Sequence, residues 1–232
     1  MTNSPIFTGA ATALVTPLNE QGIDYASLDR LIDWQIDQGI NALVIAGTTG
    51  EGSTLTDEEH RALLKHSAER VAGRVPVIAG TGSNDTDYAV DLTAFACEAG
   101  CDAMLVVTPY YNKATQKGLV KMYNIIADAS TKPLIVYNVP SRTGVNIEPA
   151  TYAELAQNPN IKGIKEANSN ISKIVEISLK SLSPLGCRTS GPCSVVWLYP
   201  STAFVVMTLS IGILRTPVHL CDDNRSKVYY RH

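Results

Sequence analysis

The sequence has no large excess of either charge: 19 Lys and Arg stand against 22 Asp and Glu, a formal net charge of −3. That near-neutral balance gives no electrostatic footprint for nucleic acid. No cluster of Lys and Arg marks a membrane surface either. The start, Met1-Thr2-Asn3-Ser4-Pro5, is polar and lacks the pattern of a secretory signal. A cytoplasmic protein with no nucleic-acid or membrane partner is the expectation. Metal-ligand spacing is also missing. Cys97 and Cys101 stand four apart with no second pair at zinc-site spacing, and Cys187, Cys193 and Cys221 follow far behind. Buried free thiols are the plain reading. Gly80-Thr81-Gly82-Ser83-Asn84-Asp85 lacks the third glycine of a dinucleotide-binding fingerprint.

What is present is apolar material, 45% of 232 residues, ample for one sizeable core. It comes as short runs separated by helical patterns. Residues 10–18 form a first apolar run. Asp24 then caps a helix carrying Leu28, Leu31, Ile32 and Ile36, with Gly39 as its stop. Ala42 to Ala46 is a second strand, and Thr56 with Glu59 makes a capping box for the helix running to about Val71. Pro76 to Ala79 is a third strand, with Asn84 opening a helix that closes at Gly100. Ala103 to Val107 and Pro133 to Tyr137 are the fourth and fifth strands, followed by helices near Lys117–Asp128 and Glu148–Gln157. A sixth strand lies within Asn160 to Ala167, and Ile171 to Lys180 begins a sixth helix.

Uninterrupted strands rich in Val, Ile, Leu and Ala, alternating with helices, give an α/β fold with a buried parallel sheet. Two closures compete, an open doubly wound sheet and a (β/α)8 TIM barrel. The barrel is preferred because polar residues follow the second, fourth, fifth and sixth strands, and barrels gather such residues on one rim, whereas an open sheet concentrates its site at one switch point.

Residues 1–180 read as an incomplete barrel of six units, and 181–232 as an atypical tail. No Asp or Glu occurs between Glu176 and Asp222, and Val195 to Leu214 is mostly apolar, interrupted by Pro200. Three readings of the tail stand side by side: a membrane anchor, a seventh and eighth strand–helix pair, and a segment foreign to the fold, as a reading-frame shift would yield. The third is preferred.

Lys165 is the residue on which the chemistry turns. Its neighbours Ile161, Gly163, Ile164 and Ala167 are apolar or small. A lysine facing inward from such a strand is desolvated, and the neutral amine it favours can form a Schiff base with a carbonyl; a lysine reaching out to solvent is the alternative. Gly47-Thr48-Thr49-Gly50-Glu51 offers N–H and O–H groups to a small anion, or is an ordinary turn. Tyr110, Tyr111 and Tyr137 follow or end strands, where a phenol relays protons or simply packs. Arg142 offers a planar fork to a carboxylate. Together these residues suit Schiff-base chemistry on a small keto acid.

The motifs GTTGE at 47–51, TPYYNK at 108–113, YNVPSRTG at 137–144 and GIKEA at 163–167 resemble the dihydrodipicolinate synthase family, within the N-acetylneuraminate lyase superfamily of class I aldolases. The resemblance spans roughly residues 5–180. It implies a (β/α)8 barrel in which Lys165 forms a Schiff base with pyruvate, so that no separate cofactor or metal is called for. It further implies that Tyr137 shuttles protons, Thr48 links the relay, Thr49 holds the pyruvate carboxylate, and Arg142 receives the carboxylate of aspartate semialdehyde. Tyr111 matches a relay tyrosine supplied by the neighbouring subunit of a homotetramer. The implied reaction is condensation of pyruvate with aspartate semialdehyde to 4-hydroxy-tetrahydrodipicolinate, on the route to diaminopimelate and lysine. The alternatives are a related pyruvate-dependent aldolase such as N-acetylneuraminate lyase, or an inactive truncated remnant. His60 and Asn84 match positions of the family's lysine feedback site, whereas Asp57 and Tyr88 depart from inhibited members.

Overall fold

A computed structural model describes residues 6–168, 170–182 and 194–197. The elements are β1 (Ala11–Ala13), β2 (Leu18–Asn19), β3 (Gly22–Ile23), α1 (Tyr25–Asp37), β4 (Ala42–Ile45), α2 (Asp57–Val71), β5 (Val77–Gly80), α3 (Thr86–Glu98), β6 (Ala103–Val107), α4 (Gln116–Asp128), β7 (Leu134–Asn138), α5 (Pro140–Thr143), α6 (Pro149–Leu155), β8 (Ile161–Glu166), α7 (Ile171–Leu182) and β9 (Ser194–Trp197). One sheet runs in the order β1-β4-β5-β6-β7-β8-β9, and every neighbouring pair in it is parallel.

The strand order follows chain order without reversal, so there is no switch point of the doubly wound kind. This is the arc of a (β/α)8 barrel, as the alternation of strand and helix patterns leads one to expect. The small β2–β3 antiparallel hairpin is an addition: the apolar run 10–18 is not one strand but β1, a loop and β2.

The two faces of the sheet separate cleanly. Ala11, Ala13, Val44, Ile78, Leu105, Ile135 and Tyr137 share the inner cluster. Leu43, Ile45, Val77, Ala79 and Met104 pack outward against Leu28, Ile32, Leu63 and Leu64 of α1 and α2. Farther round, Val106, Leu134 and Val136 meet Leu119, Tyr123 and Ile126 of α4 and Tyr152 and Leu155 of α6. Alternation at period two gives each strand one side chain for the barrel interior and the next for the helical layer.

Helix starts follow local chemistry. Asp24 accepts from Ser27 N at 3.0 Å, and Thr56 with Glu59 forms the full capping box. Asp85, not Asn84, caps α3, accepting from the amides of Asp87 and Tyr88. Gly39 follows the C-cap of α1 at φ +83°, a backbone region that glycine enters without steric cost.

Most of the segment 181–232, including the apolar run from residue 198 to Leu214 and the polar residues after Asp222, lies outside the described residues. So does a test of the membrane-anchor reading there; among the described residues no helix is long and apolar enough to cross a membrane. The sequence reading assigned no strand after residue 180, yet Ser194–Trp197 runs parallel to β8 with Lys165 opposite Val196. Consecutive Val195, Val196 and Trp197 suit a pleated strand; the Ser, Pro and Gly residues around them masked the pattern.

Candidate active site

The polar residues singled out in the sequence follow the C-terminal ends of the parallel strands, and the structure shows how each is held. In β8, Leu134 pairs with Ile161 but Ile135 pairs with Gly163, so Lys162 is an extra residue in the ladder. This bulge resets the alternation. Ile161 and Ile164, three apart, both point into the helical layer, and the next residue, Lys165, turns to the interior beside Tyr137.

Lys165 is 6% exposed. Its Nζ lies 4.1 Å from the centre of the Tyr137 ring. Burial, helped by the positive charge of Arg142, draws its pKa down to about 7. Near neutral pH about half of such amines are unprotonated and nucleophilic. The reading of Lys165 as a solvated surface charge is therefore excluded.

Tyr137 is buried against it. Burial raises its phenol pKa, while Arg142 and a side-chain hydrogen bond with Thr48 oppose the rise. Lys165, Tyr137, Thr48 and Arg142 thus form one electrostatically connected group. Thr48 and Thr49 are exposed at the end of β4, in a tightly held loop. Gly52 N donates to Gly47 O at 3.2 Å, and the buried Thr16 hydroxyl donates to Gly50 O at 2.7 Å. Ala46, just before the loop, sits at φ +54°. A Cβ at Gly52 or Gly80 would come within 2.2 or 2.3 Å of the Ala46 carbonyl oxygen, so only glycine fits at both positions.

Arg142 lies in α5, entered through Pro140 and closed by Gly144 at φ +71°. Its side chain is exposed, yet close enough for its charge to act on both Lys165 and Tyr137. Tyr111 is the member of the expected set that the single chain does not bring in: it is 92% exposed at φ +75°. Its backbone is nevertheless anchored, since Tyr111 N donates to Thr143 O at 3.2 Å. Asn84 fixes the preceding residue, accepting from Tyr110 N at 2.7 Å and donating to Tyr110 O at 3.0 Å. That engagement explains why Asn84 does not serve as the helix cap. His60 is buried, with Nε2 2.9 Å from Gly80 O.

Three residues escaped the sequence reading. Glu166 is fully buried behind Lys165 on the outer face of β8, receiving hydrogen bonds from Asn138 and Tyr152. Asn138 and Glu166 lie inside the YNVPSRTG and GIKEA motifs. The usable signal was an acidic residue at the end of a strand whose neighbours Ile161, Gly163 and Ile164 mark it as buried. Among the described residues no group of three or more His, Cys, Asp and Glu could hold a metal ion.

The dihydrodipicolinate synthetase family matches over residues 6–185. The 4-hydroxy-tetrahydrodipicolinate synthase of Acetivibrio thermocellus is 55% identical over 174 residues, which are 75% of this chain and 60% of the relative. The chain therefore spans about three fifths of that relative's length. The enzyme of the same name from Thermoanaerobacter sp. is 51% identical over 216 residues, 93% of this chain and 73% of the relative. The crystal structure of chloride-inhibited dihydrodipicolinate synthase from Acinetobacter baumannii complexed with pyruvate superposes with a TM-score of 0.73 at 43% identity, covering 82% of this chain and 62% of that one. Matched by that family over most of its length and by relatives of this identity, the chain belongs to the dihydrodipicolinate synthetase family.

Proposed function

We propose that this chain carries the pyruvate-activating site of a 4-hydroxy-tetrahydrodipicolinate synthase, a lyase that condenses pyruvate with aspartate semialdehyde. The observation that carries the reading is a lysine with pKa near 7, nine-tenths buried and 4.1 Å from a tyrosine ring. The neutral Lys165 amine attacks C2 of pyruvate, and loss of water leaves an iminium. Tyr137, coupled to Thr48, moves the protons of that dehydration and of the next step. Removal of a proton from C3 gives an enamine, whose carbon attacks the aldehyde of the second substrate; the new alkoxide takes a proton. Attack of the substrate's own amine on the former pyruvate C2 closes the ring and releases Lys165.

The remaining roles rest on the family's pattern at matching positions. Thr49 holds the pyruvate carboxylate, Arg142 receives the carboxylate of aspartate semialdehyde, and Tyr111 serves the site of a neighbouring subunit in a homotetramer. The exposure of Tyr111 supports that last role, because a ring left in solvent by one chain is free to enter another. The covalent Schiff base takes the place of a cofactor, and a cytoplasmic location accords with these small soluble substrates. The names of the relatives favour the synthase over N-acetylneuraminate lyase.

Assay of the purified chain with pyruvate and either aspartate semialdehyde or N-acetylmannosamine tests the acceptor. Turnover with aspartate semialdehyde alone supports the synthase; turnover with the sugar alone overturns it.

A further inference from the structure

On the face of β8 opposite Lys165 lies a carboxylate that the condensation does not use. Glu166 is completely buried, and its partners are donors. Asn138 Nδ2 reaches its two oxygens at 2.8 and 3.1 Å, and the Tyr152 hydroxyl donates to Oε2 at 2.7 Å. Burial raises its pKa, and these donors oppose the rise. A hydrophobic pair of similar volume would serve the core at least as well as a buried charged group, so what matters is what the carboxylate holds.

It holds one amide in one orientation. Asn138 faces Glu166 across the β7–β8 ladder as Tyr137 faces Lys165. A carboxylate only accepts, so Asn138 must turn its NH2 toward it and its oxygen away. That oxygen accepts from Ile147 N at 3.3 Å, and the same NH2 also donates to Asn146 Oδ1 at 2.9 Å. The segment 139–147 therefore leaves β7 next to Asn138 and returns to the Asn138 side chain. Thr143 braces its middle, donating to Val139 O and Val145 O at 3.2 and 3.1 Å. Arg142 rides on this closed segment.

We propose that Asn138 and Glu166 are positioning residues for Arg142. They form a clasp that fixes the Arg142 segment relative to Lys165, and so govern recognition of the second, carboxylate-bearing substrate rather than formation of the Schiff base. The inference rests on the function proposed above and deepens it.

The test compares Asn138→Leu, Glu166→Leu, Glu166→Gln and Asn146→Ala with the parent chain. Glutamine can accept from Asn138 and donate to the Tyr152 oxygen, keeping the clasp without the charge. Asn146 is exposed, so its replacement leaves the core intact should the buried variants fail to fold. Three quantities are read: KM for each substrate, borohydride-trapped pyruvate on Lys165, and exchange of the Ile147 amide hydrogen. The leucine variants should raise KM for aspartate semialdehyde about tenfold or more, the scale of one lost buried hydrogen bond. KM for pyruvate and trapping should stay within about twofold, and Ile147 exchange should accelerate. Asn146→Ala should move the same way by less, and Glu166→Gln should stay near the parent. Parallel loss of trapping and of semialdehyde recognition, unchanged Ile147 exchange, or a Glu166→Gln as impaired as Glu166→Leu would overturn the clasp. If the parent chain itself traps no pyruvate, the proposed function fails, and Ile147 exchange alone decides the clasp.

Discussion

At the level of single residues, burial decides what the Lys165 amine can do. Lys165 is charged in the unfolded chain up to its ordinary pKa of 10.5 and loses its proton near pH 7 when folded. Between those values the unfolded state binds more protons, so stability rises with pH across that window. Below about pH 7 the folded state carries a buried charge and bears the whole cost. Lys165→Met should therefore stabilise the fold, by roughly 3–5 kcal/mol at pH 6, with the gain shrinking toward nothing by about pH 10.5. Urea denaturation at pH 6, 8 and 10 measures this, and a gain independent of pH would contradict it. The lysine was legible in the sequence because Ile161, Gly163, Ile164 and Ala167 around it are apolar or small and because it stands in the GIKEA motif. The bulge at Lys162 that turns it inward was not, because a one-residue shift in pairing exists only between two strands. Glu166 was missed for a related reason. Its partners Asn138 and Tyr152 are 28 and 14 residues away, and nothing local announces them.

At the scale of elements, the strand ends and the loops after them decide whether the site is in register. The sequence showed β6 to the residue and the six longer helices to within a few positions, since buried strands and capping boxes are local signals; α5, the single turn that carries Arg142, gave no such signal. It placed the cap of α3 one residue early, because Asn84 and Asp85 are both cap formers and only the contact with Tyr110 distinguishes them. The loop after β4 depends on a contact that sequence cannot show, the approach of Gly80 to the Ala46 carbonyl. A methyl there would collide with backbone, which cannot swing aside as a side-chain tip can. Gly80→Ala should cost about 1–3 kcal/mol, in the range for overpacking, and displace Thr48 from Tyr137. Thermal denaturation together with pyruvate KM checks this; a variant with unchanged stability and KM would show that the loop adapts freely.

At the scale of the whole molecule, strand order without reversal was readable from the repeated units, because parallel neighbours joined by helices leave few other arrangements. The segment after residue 180 was less readable. The lack of acidic residues between Glu176 and Asp222 supports a change of reading frame, while the strand at Ser194–Trp197 and the Thermoanaerobacter match over 93% of the chain support a continued family fold. Sequencing the coding DNA around codons 176–185 separates them. The frame-shift reading expects a base gained or lost there, after whose correction the family pattern resumes; an unbroken frame shared by close relatives would contradict it. The central claim, that this arc of a barrel holds an amine able to capture a keto acid, is tested most directly by borohydride reduction of the folded chain with pyruvate, followed by peptide mass mapping. One reduced adduct is expected, on Lys165, forming at a rate that rises through about pH 7 and absent in Lys165→Met. Folded protein with no adduct, or with the adduct on another lysine, would contradict it.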